Sequence, residues 1–413
     1  MPKRHKVALI VEQNLIFCSQ LLSDKRFGME INMKEYNKML SGKLYNPANI
    51  FLQILQYRAR TLSKKYNEKC SNIYNHSYNR DNTSFEYSRK TTNNVSYKIL
   101  KKLTGEIGKE VIIKAPFMCD FGMNIIIKDK VIIDSDCVFL DTARINIGKN
   151  VKIGKGTCLA CVSHLIHPEE RKKISNYSEP IFIGDNVIIG SNVTILGGVE
   201  IETGSIIPDG AVVTKSISTN AKVNNWAEID YDLLKKLVNN DINNKNNKKI
   251  IERINKINSV RYINRYFQYR KLFAKSGIMT LIMSPFNCEL GKNIFFNGMS
   301  FINYNCKIID TDRIQIGNHT LIGPGSCLTC ITYDSYVCAE KTKKSKSIII
   351  GENVWIGANV IICGGVTIGD NSIIGAGSVV IEDIPAGVIA YGRPCKKRRL
   401  IGDSDRVIFD GNN

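Results

Sequence analysis

From residue 145 onward the apolar positions of the chain recur at a short, regular spacing. "INIGKNVKIGKG" is followed by "IFIGDNVIIGSNVTILGGVEI", and later by "IQIGNHTLIGPG" and "IIIGENVWIGANVIICGGVTIGDNSIIGAGSVVI". An aliphatic residue returns about every six positions, a Gly or another small residue follows it, and Asn or Asp stands near each corner. Six residues make one short strand plus its turn, too few for a helix pair or a propeller blade. A strand that short cannot bury its own apolar side chain. The units must therefore stack as coils around a shared aliphatic interior, with Gly and Asn supplying the positive-φ corners. The pattern predicts a mainly β chain wound as a parallel β-helix.

A longer repeat lies over the short one. "PFMCDFGMNI" at 116 matches "PFNCELGKNI" at 285, and "CVFLDTARINIG" at 137 matches "CKIIDTDRIQIG" at 306, both 169 residues apart. Beyond position 164 the spacing falls to 167, aligning "GDNVIIG" at 184 with "GENVWIG" at 351. The chain reads as a tandem duplication in which one loop has lost two residues. That loop is "ACVSHLIHPEER" at 160–171 in the first copy and "TCITYDSYVCAE" at 329–340 in the second, so the imidazole at 164 is replaced by Tyr333.

Two regions carry helical rather than six-residue spacing. Residues 33–67 show it with a break at "YNP", and residues 231–275 show it around the polar "NNDINNKNNKK". These patterns divide the chain into an extension of unassigned role (1–32), a helical N-terminal region (33–100), a first coil lobe (101–230), a helical linker (231–275), a second coil lobe (276–402) and a tail (403–413). Residues 68–95, rich in Asn, Ser and Tyr, read as a loose insertion, and Met33 as an alternative start.

With 413 residues, 43% of them hydrophobic and 23% charged, the chain has the make-up of a globular protein rather than a fibrous or disordered one. The longest apolar stretches fall short of the roughly 20 residues a membrane helix needs, and the run near the start is broken at Glu12, Gln13 and Asn14. A cytoplasmic protein without a signal peptide or membrane partner is expected. A formal charge of +19 suits a polyanionic partner or a phosphate-bearing co-substrate. "KTKKSKS" at 341 and "CKKRR" at 395 lack the aromatic interleaving of a nucleic-acid surface, so no nucleic acid is expected. Of the 13 cysteines, Cys119, Cys137, Cys158 and Cys161 recur as Cys288, Cys306, Cys327 and Cys330. "CLAC" and "CLTC" have zinc-knuckle spacing, but each pair straddles a coil corner and the two belong to separate lobes; no metal site is expected.

"MLSGKLYNP", "RARTLSKKYN", "APFMCDFG", "CVFLD", "SHLIHPEER" and "IGDNVIIGSNVTILGGV", in that order, resemble the maltose and galactoside O-acetyltransferases of the hexapeptide-repeat superfamily. The resemblance runs from about 33 to 223, and its coils return from about 285 to 402. It implies two left-handed parallel β-helix lobes in tandem and a homo-oligomer, usually a trimer. It also implies acetyl-CoA in the groove between neighbouring lobes and a sugar-like acceptor.

Acetyl transfer to a sugar hydroxyl needs a base that takes the proton as the new bond forms, and a positioned histidine does this at neutral pH. Of His5, His76, His164, His167 and His319, the resemblance puts His164 at the base position; His167 and His319 read as surface-loop residues. It assigns Asp120, Asp134 and Asn303 to the acceptor, although the acidic residue expected after Tyr45 is Asn46 and an Arg expected in the next helix is Gln56. For the cofactor it assigns Ser191, Thr214 and Lys215 in the first lobe and Ala376, Lys396 and Arg399 in the second. The first lobe departs from that pattern at Asp209 and in its closing loop "VNNWAEI". The second departs at Ile381 and at Glu382, where a buried carboxylate beside a phosphate would repel it. Each lobe thus carries part of one site, which suits a composite site shared between lobes; the alternative is a first lobe that trimerises alone, with the second as an inactive platform. The rival reading is a non-catalytic β-helix scaffold descended from such an enzyme.

Overall fold

The computed structural model describes residues 33–77, 95–173, 175–223, 250–252, 254–255, 262–277, 279–334 and 344–407. Residues 1–32, the "NNDINNKNNKK" stretch, nearly all of "VNNWAEI" and residues 408–413 lie outside the described residues. Contacts divide the chain into two compact units, and the loop His164–Ser175 groups with the second coil.

In the first unit three five-stranded parallel sheets wind into a coil. One sheet stacks Glu106–Ile107, Ile125–Ile127, Ile145–Ile147, Ile181–Ile183 and Glu200–Ile201. Its register puts Ile107, Ile127, Ile147, Ile183 and Ile201 in one inward ladder, and the last four are buried. Each isoleucine taken out of water contributes about 1.5–3 kcal/mol, so the strands are held by the stack and not by their own length. The corners between sheets need left-handed backbone: Asn150 and Asn186 have φ of 58° and Gly204 a φ of 75°. The second coil repeats this at His319, Asn353 and Asn371, with φ of 59°, 53° and 63°. His319 is therefore a corner residue rather than the surface-loop histidine expected from sequence.

Helices close each coil. In the first unit α1 is Lys34–Leu40, α2 is Ile50–Ser77 and α3 is Val95–Leu103. The break at "YNP" is real, and Asn49 restarts the helix by accepting hydrogen bonds at its Oδ1 from the Phe51 and Leu52 N–H groups, at 3.0 and 3.4 Å. α2 runs on through 68–77, where a loose insertion was expected. Cys70 on that extension is buried and lies 3.9 Å from Ser96 of α3, so packing overrides a loop-like composition. Asn67 closes α2 on the coil, donating from Nδ2 to Phe117 O at 3.0 Å and accepting from Phe117 N at 2.9 Å.

The second unit has the same closure. Asn255 makes both bonds to Phe286, each at 3.0 Å. Helix Tyr262–Leu272 then leads to Phe273, which packs on Phe286 and Phe296 with ring centroids 6.1 and 5.2 Å apart. Phe286 is the counterpart of Phe117, so the helical stretch before the second coil repeats the capping role of α2. Leu281–Ile282, Ser300–Ile302, Thr320–Ile322, Trp355–Ile356, Ile373–Ile374 and Val388–Gly392 build one parallel wall, ended by the antiparallel strand Cys395–Leu400.

All eleven cysteines that the described residues include are free and buried. Burial pushes the Cys327 and Cys330 thiols up to about 12 and raises those of Cys158 and Cys161 further. Among the described residues no group of three His, Cys, Asp or Glu side chains is placed to hold a metal ion.

Candidate functional site

His164 closes the short strand Val162–His164, where the chain leaves the coil for its longest excursion between successive strands of the first unit. Its imidazole is half-buried and stands edge-on to Trp355 of the second coil, ring centroids 5.1 Å apart at 85°. Trp355 was missed in the sequence. A signal was there, because the aligned position in the first repeat is Ile188 and the chain has only two tryptophans.

Below His164 the loop forms a one-turn helix, Pro168–Arg171. Arg171 is buried, and its guanidinium donates to Ile166 O at 2.6 Å, Asn353 O at 2.9 Å and Asn371 O at 2.8 Å. Burial lowers its pKa to about 10, leaving it protonated at neutral pH. Asn353 returns a bond from Nδ2 to Pro168 O at 3.1 Å. The C-terminal turn packs on the other side: Val407 N donates to the buried Glu170 carboxylate at 3.0 Å, and Asp403 lies 3.9 Å from His167 Nε2. His167 is itself buried, so the surface-loop reading of it is corrected.

The other predicted residues of this unit fall on the second coil and its hairpin. Asn303 turns its Oδ1 onto the Tyr304 N–H at 2.7 Å. Ala376 is half-buried, tight against Gly357, where an added Cβ would come within 2.5 Å of its backbone nitrogen. Lys396 and Arg399 lie on the exposed strand Cys395–Leu400. Lys396 pairs with Glu382 at 2.9 Å, and Arg399 grips Asp405 through two bonds of 2.7 and 2.6 Å. The arginine holds the Asp405 carboxyl at about 2. Glu382 is exposed, not buried as expected, because the bend after the last strand of its wall turns it to solvent beside Lys396.

The first unit holds Asp120, Asp134, Ser191, Thr214 and Lys215. Asp134 does what Asn303 does in the other repeat, accepting from the next residue's N–H, here Ser135 at 2.7 Å. Burial opposes its ionisation, but the Ser135 N–H and Lys114, 3.0 Å away, outweigh it and keep the carboxyl below its usual range. Asp120 is half-buried, and desolvation raises its pKa to about 6 against the pull of Arg60. Arg60 sits one turn beyond Gln56 and donates to it at 3.3 Å, so the helix has an arginine near Asp120, one turn from where the resemblance puts it. The Ser191 N–H donates to Asp209 at 2.8 Å, which gives the departure at Asp209 a local role. Thr214 and Lys215 are exposed.

The pattern described as "Bacterial transferase hexapeptide (six repeats)" matches residues 180–215 and again 347–382, one match in each repeat. A galactoside O-acetyltransferase of Lactococcus lactis subsp. lactis (strain IL1403) is 36% identical over 144 residues, 34% of this chain and 70% of that protein. A galactoside O-acetyltransferase of Escherichia coli (strain K12) is 40% identical over 142 residues, again 34% of this chain and 70% of that protein. Among solved structures, a maltose O-acetyltransferase from Clostridium difficile 630 aligns at 31% identity and a TM-score of 0.39, covering 46% of this chain and 90% of that one.

Proposed function

Because the chain belongs to the galactoside O-acetyltransferase family of hexapeptide-repeat transferases, we propose that it moves acetyl from acetyl-CoA to a hydroxyl of a sugar or sugar-like acceptor, with His164 as general base. Family membership makes it an acetyl-CoA-dependent acyltransferase. The observation that carries the reading of the base is the half-buried imidazole of His164, held at a loop edge against Trp355. In the reaction, the acceptor oxygen attacks the thioester carbonyl as its proton passes to His164. The tetrahedral intermediate then collapses, the C–S bond breaks, and the proton is returned to the departing thiolate.

The exposed strand Cys395–Leu400, with Lys396, Lys397, Arg398 and Arg399, fits a phosphate-bearing co-substrate in charge. On this reading Asn303 serves the acceptor, and Ala376, Lys396 and Arg399 the cofactor, in the same unit as His164; Asp120, Asp134, Ser191, Thr214 and Lys215 are the candidates in the other. A panel of mono- and disaccharides incubated with acetyl-CoA and the full chain tests the acceptor class. A singly acetylated ester on at least one supports it. Acetyl-CoA binding with no ester on any hydroxyl would overturn it.

Homo-oligomeric assembly belongs to the same proposal. In the first coil Ile188 and Ile206 are exposed, 44% and 37%. Their repeat equivalents are the half-buried Trp355 and Ile373, the latter only 6% exposed. A wall that is covered in one repeat and bare in the other supports burial of the bare one in an assembly.

Among the described residues no helix is long and apolar enough to cross a membrane.

A further inference from the structure

We infer that Arg171 is a positioning residue for His164: its guanidinium fastens the loop that carries the base to two successive corners of the second coil. The inference rests on the reading of His164 as the base and goes beyond it in naming what holds the imidazole in place.

The loop His164–Ser175 has little internal structure to define it. Its one helix is four residues long, and Arg171 and Asn353 each bond it to the second coil. A segment of this kind takes one geometry only if its ordering entropy is offset by specific contacts. Arg171 provides them at three points. One Nη reaches back to Ile166 O, two residues from His164, and the other bridges the carbonyls of Asn353 and Asn371. Those two residues occupy the same left-handed corner in consecutive coils, so their carbonyls form a fixed pair rather than a chance one.

The chemistry of the grip is unusual for a buried arginine. All of its partners are backbone carbonyls and none is a carboxylate, although the acidic Glu169 and Glu170 precede it directly. A guanidinium spends its charge there on geometry, because its planar fork addresses acceptors on two sides at once. Glu170 meanwhile faces the other way and takes the Val407 N–H, and Glu169 pairs with Lys172 at 3.0 Å. The helix is thus held on the coil side by Arg171 and on the tail side by Glu170. Lysine at 171 would keep the charge but not the fork: its donors sit on one nitrogen, whereas Ile166 O and the two corner carbonyls are served by two separate Nη atoms.

Trp355 provides a direct readout of this placement. Protonated imidazole quenches indole fluorescence on contact, and Trp226 is the chain's other tryptophan. In full-length protein carrying Trp226→Phe, the emission of Trp355 should fall as pH is lowered through the titration of His164, and His164→Ala should abolish that step. Arg171→Lys, added to the same background, is expected to lose the step and to lower kcat by about 10- to 100-fold, as a misplaced catalytic group does. KM for acetyl-CoA should stay within about twofold. Arg171→Gln is the second variant, with the same expectation, should the lysine variant not fold as judged by its far-ultraviolet spectrum.

A full fluorescence step at the unchanged midpoint in folded Arg171→Lys or Arg171→Gln would overturn the proposal. So would a step that survives His164→Ala, because the two rings would then not be in contact. Turnover that persists in His164→Ala would sink the base reading alone, and the fluorescence comparison would still decide what Arg171 does.

Discussion

The Asp120 carboxyl, half-buried at the end of strand Phe117–Cys119, is held up at about 6 by desolvation. An unfolded chain gives such a group a pKa of about 3.9, so the folded state binds this proton more tightly than the unfolded one. Folded stability therefore falls as pH rises from about 4 to about 6, and it stays reduced above that range. Asp120→Asn should melt at a higher temperature than wild type at pH 7, and the two should converge below about pH 4. Equal melting temperatures across that range would contradict the burial argument. A residue kept in place at a cost to stability suits the acceptor role proposed for it. The candidacy of His164 was legible in the sequence because "SHLIHPEER" resembles the histidine loop of the galactoside O-acetyltransferases and the second repeat has Tyr333 at the matching position. Trp355 and Arg171 were not, since their partners depend on which coil the loop docks on. Arg60 was missed for a smaller reason: it lies one turn from Gln56, where the resemblance puts an arginine.

Among the elements, the short strands of the six-residue repeat could be read directly, because their period permits no other packing. The helical closures were harder. The stretch 68–77 has the composition of a loop, yet it is helix because Cys70 packs toward Ser96 and the neighbouring Tyr66 hydroxyl bonds Ile113 O. The hairpin of Val388–Gly392 and Cys395–Leu400 shows the same limit in electrostatics. Its basic residues were visible, but not that Asp405 from the chain's tail would occupy Arg399. If Arg399 serves a cofactor phosphate, Asp405 competes with it. Asp405→Asn should then lower KM for acetyl-CoA, whereas Lys396→Glu with Arg399→Glu should raise it at least about tenfold, the loss of two charge-assisted contacts. A KM that is unmoved by both would take the hairpin out of the cofactor site.

For the whole molecule, the duplication explains why one chain has two similar coils and unequal surfaces. The capping asparagines, Asn67 on Phe117 and Asn255 on Phe286, show that the copied unit included its closing helix. The two copies now differ on the equivalent face, with isoleucine at 188 and tryptophan at 355. If the bare face of the first coil is buried between copies, Ile188→Glu with Ile206→Glu should reduce the mass found by light scattering while leaving far-ultraviolet dichroism unchanged. An unchanged mass would remove this face from the assembly.

The central claim is that the chain is a working acetyltransferase whose single conspicuous histidine takes the acceptor's proton. The most direct test is thiol release from acetyl-CoA by the full-length protein, measured with an unmodified sugar that the panel identifies as an acceptor, for wild type and His164→Ala side by side. The account predicts steady release by wild type and a loss of about 10²- to 10⁴-fold in the variant, with acetyl-CoA binding retained. Equal release by the two proteins, or none by wild type although acetyl-CoA binds, would contradict it.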